Sequence, residues 1–313
     1  MQPDTDLLDA LRTNLAELTA LHAPSGAEQA VIARLRELFA PLVDVVSVDP
    51  MGNLTAMREG PPGAPHVVVS AHADEIGALV ASIEPDGFLR LLSIGGVQPR
   101  LLEGRAVWVG GRSGVIGARS GHLTPRSEHG QGLSLADLYV DLGVDSAAQV
   151  EALGVRVGDA EVAYARLKPD LAIVVDTFPA AGTPDTRHLA YTARIGQGAL
   201  ITPASGAGDA GFLMPRAARD AMIAAAQRAG VPYQLAVTGG GVTDAAAAHL
   251  AAGGIATLEV KIPRRYSHSP VELLDLRDLA AALSLVEELV LHPPTREDLS
   301  FLKEVERSQD ETV

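Results

Sequence analysis

The sequence predicts an α/β protein: a sheet-centred domain with helices on both faces, interrupted by a small all-β module. Three observations predict this. Apolar, β-branched runs at 66–69, 171–175 and 255–260 fit buried strands. Helical stretches at 215–229, 243–252 and about 275–291 alternate with the later strands, as in domains whose helices cover a sheet. Between about 85 and 162 the character changes to short β-branched pieces separated by many glycines, the pattern of a small all-β unit. The expected division is a discontinuous α/β domain, residues 1–84 and 163–313, with residues 85–162 inserted into it.

The elements follow in order. Leu7, Leu8, Leu11, Leu15 and Leu18 recur at helical spacing over 6–21, and the stretch HAPSG at 22–26 stops that helix. Ser25, with Glu28 three residues later, reads as a capping box for a second helix ending near Phe39. Strands at 43–48 and 54–57 are joined by the turn DPMGN at 49–53. The next strand leads into His72, and if it continues, His72 and Asp74 share one face. Within the inserted module the strand-like pieces are 106–109, 114–116 and 138–140. The apolar strand 171–175 ends at Asp176. An Ala-rich helix at 215–229, a strand at 233–237, a helix at 243–252, a strand at 255–260 and the C-terminal helix complete the order. The charged tail after about 303 reads as frayed.

Composition narrows the function. The 313 residues are 47% hydrophobic and 20% charged, ordinary for a globular chain, while aromatics at 4% leave the core to Ala, Val, Leu and Ile. A formal charge of -14 disfavours nucleic acid and anionic membrane surfaces, which need clustered Lys and Arg. The absence of cysteine excludes disulfides, thiolate metal sites and cysteine nucleophiles. The first residues lack the basic and apolar regions of a signal peptide, and no apolar run approaches a membrane span, so a cytoplasmic location is expected.

Two glycine-rich stretches are weak signals. SGAGDAG at 205–211 has the G-x-G-x-x-G spacing at Gly206, Gly208 and Gly211, but Pro203 sits where its strand should be. No acidic residue ends the next strand either, so no dinucleotide cofactor is expected. TGGGVTDA at 238–245 lacks the lysine of a phosphate-binding loop. The stronger constellation is His72, Asp74, Asp176 and His268. His72 and Asp176 lie at the carboxyl ends of strands, where open α/β sheets bind ligands, and His268 follows the strand 255–260. An Asp beside a His can take its ring N–H and leave the other nitrogen for a metal. Nitrogen and oxygen donors without sulfur suit zinc, cobalt or manganese.

At these residues the sequence resembles the metallo-aminopeptidases that include tetrahedral, deblocking and glutamyl aminopeptidases. APSGAEQAV (23–31), DPMGNLTA (49–56) and SAHADEIGALV (70–80) are similar to the opening of that family. IGGVQPRLLEGRAVWV (94–109), GVIGARSGHL (114–123) and LYVDLGV (138–144) are similar to its inserted β-domain. PDLAIVVD (169–176), RIGQGALI (194–201), PYQLAVTGGGVTDAAAAHL (232–250) and RRYSHSPVELLDL (264–276) are similar to its closing half. The resemblance implies hydrolysis of N-terminal residues from peptide substrates by a metal-activated water at a dinuclear centre, in a homo-oligomer, often a dodecameric shell. By position, His72 and Asp176 resemble ligands of one metal, His268 a ligand of the second, and Asp74 the catalytic-site residue that orients His72.

One departure from the family pattern is specific. The segment carrying the bridging aspartate and a Glu-Glu pair, one member of which is the general base, has no counterpart before Lys168-Pro169-Asp170. The Glu-Glu pair that does occur, Glu287-Glu288, falls after His268 in the predicted C-terminal helix. Glu75, next to Asp74, is expected to point to the other face, and Asp159 and Glu161 lie just before the junction. The expectation is therefore fewer than two divalent metals per subunit and impaired activity. The alternative is an inactive member serving as an assembly subunit or peptide-binding protein.

Overall fold

In the computed structural model the residues described are 5–119, 132–157, 171–186, 192–207, 210–238, 240–250, 254–269, 271–295 and 298–299. The junction carrying Asp159 and Glu161, the expected boundary at 162–163 and the tail after 303 lie outside them. The chain opens with α1 (Thr5–Thr19) and α2 (Gln29–Phe39), then the hairpin β1 (Val45–Val48) and β2 (Leu54–Met57), which stands as a separate two-stranded sheet. The strand β3 (Val67–Ser70) follows. Next come β4 (Gly77–Ile83), β5 (Leu89–Ile94), β6 (Ala106–Val109), β7 (Arg112–Ala118), β8 (Leu138–Asp141) and α3 (Ala147–Ala152). The closing half contains β9 (Leu171–Pro179), β10 (Ala199–Ala207), β11 (Ala210–Leu213), α4 (Arg216–Ala229) and β12 (Tyr233–Val237). It ends with α5 (Asp244–Ala248), β13 (Ala256–Arg265), β14 (Leu273–Leu274) and α6 (Leu276–Leu291).

The larger sheet has seven strands in the order β11-β10-β13-β9-β3, with β12 pairing β10 and β14 pairing β13. The strands β3, β9 and β13 run parallel, in register from Val67 opposite Leu171 and from Ala256 opposite Leu171. Leu258, Val260 and Ile262 alternate along β13 and bury one face against Met222, Ala225 and Ala226 of α4 and Leu285 and Leu289 of α6. The short α5 approaches the opposite face, where Thr243 meets Glu259. The α/β class with helices on both faces is thus what forms. Helix ends are set locally. Gly230, at φ 66°, closes α4 while Val231 N–H returns to the Ala226 carbonyl, and Asp275 caps α6 by accepting from Arg277 N–H at 2.8 Å. Gly198 permits a close approach: a Cβ there would lie 2.0 Å from the Pro232 carbonyl oxygen.

The second sheet is five-stranded and antiparallel, in the order β4-β5-β8-β7-β6, around Leu89, Ile116, Leu138 and Val140, with Val150 of α3 packed on it. It already includes β4, so the expected boundary at 84–85 falls inside the β4–β5 hairpin. Three local expectations differ in outcome. The strand β3 stops at Ser70, so His72 and Asp74 leave the strand rather than share one of its faces. The strand β9 runs through Asp176 to Pro179 instead of ending at it. Ser25 does not cap α2, whose flanking residue is Glu28 without a side-chain cap bond. The residues of SGAGDAG within the described regions belong to a hairpin in which Gly206 faces Gly211 across β10 and β11, not to a strand–helix turn. Among the described residues no helix is long and apolar enough to cross a membrane.

Candidate metal centre

The segment after β3 is held by the loop that ends α1. Glu75 N–H donates to the Ala23 carbonyl at 2.8 Å, and Ala23 N–H returns a bond to Glu75 Oε1 at 3.0 Å. The Ser25 hydroxyl donates to Asp74 Oδ2. Residues 74 and 75 are therefore fixed from outside the sheet, and this turns Asp74 back towards His72. The His72 Nδ1 meets two acceptors of the same residue, the Asp74 carbonyl at 2.9 Å and Oδ1 at 3.0 Å, so Nδ1 carries the ring proton. That leaves Nε2 as the unprotonated nitrogen of the neutral ring, and it faces Asp176 Oδ1 at 3.9 Å. Asp176 is itself anchored, with Oδ1 accepting from Thr177 N–H at 2.6 Å.

The electrostatics agree with a cation site. Partial burial pushes His72 down, but the carboxylates of Asp176 and Asp74, the hydrogen bond that His72 donates to Asp74 and the charge of Asp244 outweigh it and hold the imidazole above its ordinary value. The donor set fits a divalent ion in part. Ligand bonds of about 2.0–2.2 Å at a tetrahedral angle set two donor atoms about 3.4 Å apart. The 3.9 Å between Nε2 and Oδ1 is close to that separation. With Asp74 behind the imidazole, His72 has the carboxylate–histidine arrangement that orients a metal ligand.

His268 does not join this group. Among the described residues no set of three or more His, Asp or Glu side chains is gathered so as to hold a metal. The loop carrying His268 is strained, with Tyr266 at φ 61° and His268 at φ 58°, and Glu272 holds it by pairing with Arg264 and accepting His268 N–H at 2.7 Å. The imidazole lies against the Gly96 backbone instead, in the loop after β5.

The sequence profile described as M42 glutamyl aminopeptidase matches residues 52–164 and 160–285. The chain belongs to this family. Among its relatives is a putative aminopeptidase of Acetivibrio thermocellus, 27% identical over 92% of this chain and 99% of the relative. Another is the lysyl aminopeptidase of Pyrococcus furiosus, 26% identical over 81% of this chain and 89% of the relative. An aminopeptidase structure from the archaeon Desulfurococcus kamchatkensis superposes with a TM-score of 0.80 at 29% identity, covering 94% of this chain and 97% of that one.

Two features of this M42 family member escape a reading of its sequence. Ser25 lies in a stretch with the spacing of a helix cap, and nothing local shows that its hydroxyl is drawn to Asp74, 49 residues away. Asp244 opens the helix expected over 243–252, and nothing local shows that its charge is among those holding the His72 imidazole above its ordinary value. The contact at Gly96 is open to a direct test. A Cβ there would stand 2.4 Å from His268 Nδ1. Gly96→Ala should push the ring away by about 1 Å, back to ordinary van der Waals separation, while the His72–Asp176 pair stays in place. A crystal structure of the variant with an unmoved His268 would show that Gly96 does not position it.

Proposed function

We propose that this chain is a metal-dependent aminopeptidase of reduced activity, removing the N-terminal residue of a peptide by hydrolysis of the first peptide bond. The observation that carries the reading is His72, tied through Nδ1 to Asp74 and facing Asp176 through Nε2 at 3.9 Å. His72 and Asp176 would hold the ion, zinc, cobalt or manganese by their donor chemistry, and Asp74 fixes the ring orientation. When bound, a divalent ion supplies a Lewis acid and lowers the pKa of a water. Fewer than two ions per subunit are proposed, because His268 stands apart from the pair. Two further observations support a lost segment at the junction. The family profile matches in two stretches that overlap at 160–164, and the Acetivibrio relative aligns over 344 positions, more than the 313 residues here. Glu288 offers no replacement base, since its carboxylate is engaged by Arg228 at 2.7 Å and His292 at 3.2 Å.

The second reading is an inactive subunit that contributes to an assembly. It is favoured by exposed apolar side chains on β11, β12 and just after α5, among them Leu213, Val237 and Leu250. Homo-oligomers are proposed under both readings, as are a cytoplasmic setting and an inserted module beginning near Gly77 rather than at 85. Purified full-length protein, supplied with each metal and a panel of aminoacyl-nitroanilides, separates the readings. The enzyme reading expects metal-dependent release that Asp176→Asn abolishes. Release indifferent to chelation and to Asp176→Asn would overturn it, and bound metal without any release would favour the assembly subunit.

A further inference from the structure

The Ser25 hydroxyl serves a residue far from it in sequence. The stretch from Ser25 to Glu28 has the spacing of a capping box, and Glu28 does turn back, accepting Gly26 N–H at 2.7 Å. The serine hydroxyl is spent on Asp74 Oδ2 instead, 49 residues away. Ser25 is 6% exposed, so little water competes for that bond, and a hydroxyl donating to a carboxylate makes one of the stronger hydrogen bonds. The loop between α1 and α2 that carries Ser25 is clamped to the segment after β3. Glu75 N–H donates to the Ala23 carbonyl at 2.8 Å, and Ala23 N–H donates to Glu75 Oε1 at 3.0 Å. Pro24 packs so closely on Gly77 that a Cβ there would stand 3.0 Å from the Pro24 Cβ. These contacts deliver Ser25 to Asp74.

Asp74 needs such a hold. The torsion that turns a carboxylate about its own stem is broad, so nothing intrinsic keeps one oxygen aimed at a neighbour. Here the two oxygens divide the work: Oδ2 accepts from Ser25, and Oδ1 accepts from His72 Nδ1 at 3.0 Å. With Oδ2 held, a rotation that carried Oδ1 off the imidazole would also break the serine bond. We propose that Ser25 is a positioning residue of the metal centre: through Asp74 it holds the His72 ring with Nδ1 protonated and Nε2 directed at Asp176. The inference rests on the metal-centre reading above and extends it to the loop before α2. Every link is a contact, from Ser25 to Asp74, from Asp74 to His72, and from His72 Nε2 to Asp176 Oδ1 at 3.9 Å.

Ser25→Ala removes the hydroxyl and little else. Outer partners of a metal site typically change affinity by about 10–100-fold, and Ser25, acting through Asp74, belongs at the low end. In calorimetric titration of the full chain with zinc, Ser25→Ala should therefore bind about tenfold more weakly. In an Asp74→Ala background the same change should have no further effect, since the residue through which it acts is gone. In the metal-free protein, heteronuclear NMR of the imidazole nitrogens should show the Nδ1–H tautomer of His72 in the parent. Ser25→Ala should gain the Nε2–H form, a signature that a general loss of stability would not produce. Zinc affinity unchanged in Ser25→Ala overturns the proposal, even if melting temperature falls, and so does a loss that persists undiminished in the Asp74→Ala background. If the parent itself binds no zinc, the metal-centre reading fails, and the tautomer measurement alone judges Ser25: a gain of the Nε2–H form supports the proposal and an unchanged ratio overturns it.

Discussion

His72→Ala is expected to weaken zinc binding by at least about 100-fold, more than the range seen when outer partners of a metal site are removed. The reason is a count of donors. His72 spends Nδ1 on Asp74, so Nε2 is its one ring nitrogen directed at Asp176. Removing the imidazole leaves Asp176 as the sole member of the pair. Asp74→Asn should cost less, about 10–100-fold, because the ring remains and only its orientation and basicity suffer. The fold should survive both changes. The His72 side chain is 53% exposed, and exposed substitutions usually alter stability by no more than about 0.5 kcal/mol. Zinc titrations of the two variants, with urea unfolding as the control for structure, give the ranking. Parent-like affinity in His72→Ala would mean that the ion, if bound, sits elsewhere.

The second large effect concerns turnover. With excess zinc, cobalt or manganese this chain should hydrolyse aminoacyl-nitroanilides at least about 100-fold more slowly than a relative such as the lysyl aminopeptidase of Pyrococcus furiosus, the low end for a missing general base. That factor corresponds to about 2.7 kcal/mol in the barrier. Three carboxylates near the centre are already committed. Asp74 holds His72, Asp176 faces its other nitrogen, and Glu75 is turned to the Ala23 amide with His22 at 3.6 Å. The Glu287-Glu288 pair lies on α6, with Glu288 bound to Arg228 and His292. Parallel rate assays with elemental analysis decide the matter. Two tightly held metals and a rate matching the relative would point to Asp244 or to a base outside the described residues, and Glu161→Gln and Asp244→Asn would be the first variants to make.

The strands that were legible are those whose side chains announce a buried sheet. The β-branched runs that became β3, β9 and β13 needed no tertiary information, and neither did the helices α4 and α6. The β10 strand was not legible, because Pro203, Gly206 and an alanine-rich composition argue against a strand, yet it pairs on both sides with β12 and β13. The β4 strand was missed for a similar reason, as GALVASI has few β-branched residues and gains its order from pairing with β5. At the site, residue types and strand-end positions nominated His72, Asp74, Asp176 and His268. The structure joins the first three and places His268 against Gly96. Nothing near His268 in sequence reports a left-handed backbone at residues 266 and 268, since that conformation is imposed by the bonds to Glu272.

The sequence by itself determined the alternation of side chains along each strand, the class of fold that follows, and the histidine and carboxylates proposed here as ligands of an ion. The alternation in TLEVKI, residues 257–262, states that one face of β13 is apolar and the other polar. It does not state which face is wet. A polar face usually meets water, so Glu259 and Lys261 read as ordinary exposed charges. Tertiary structure alone decided that both are buried, because the cover comes from Thr243 and α5 on one side and from Ser205 of β10 on the other, segments that no local pattern assigns to that surface. Burial turns an exposed pair into one whose partners must be supplied, since a charge taken out of water is stable only where other groups replace its hydration.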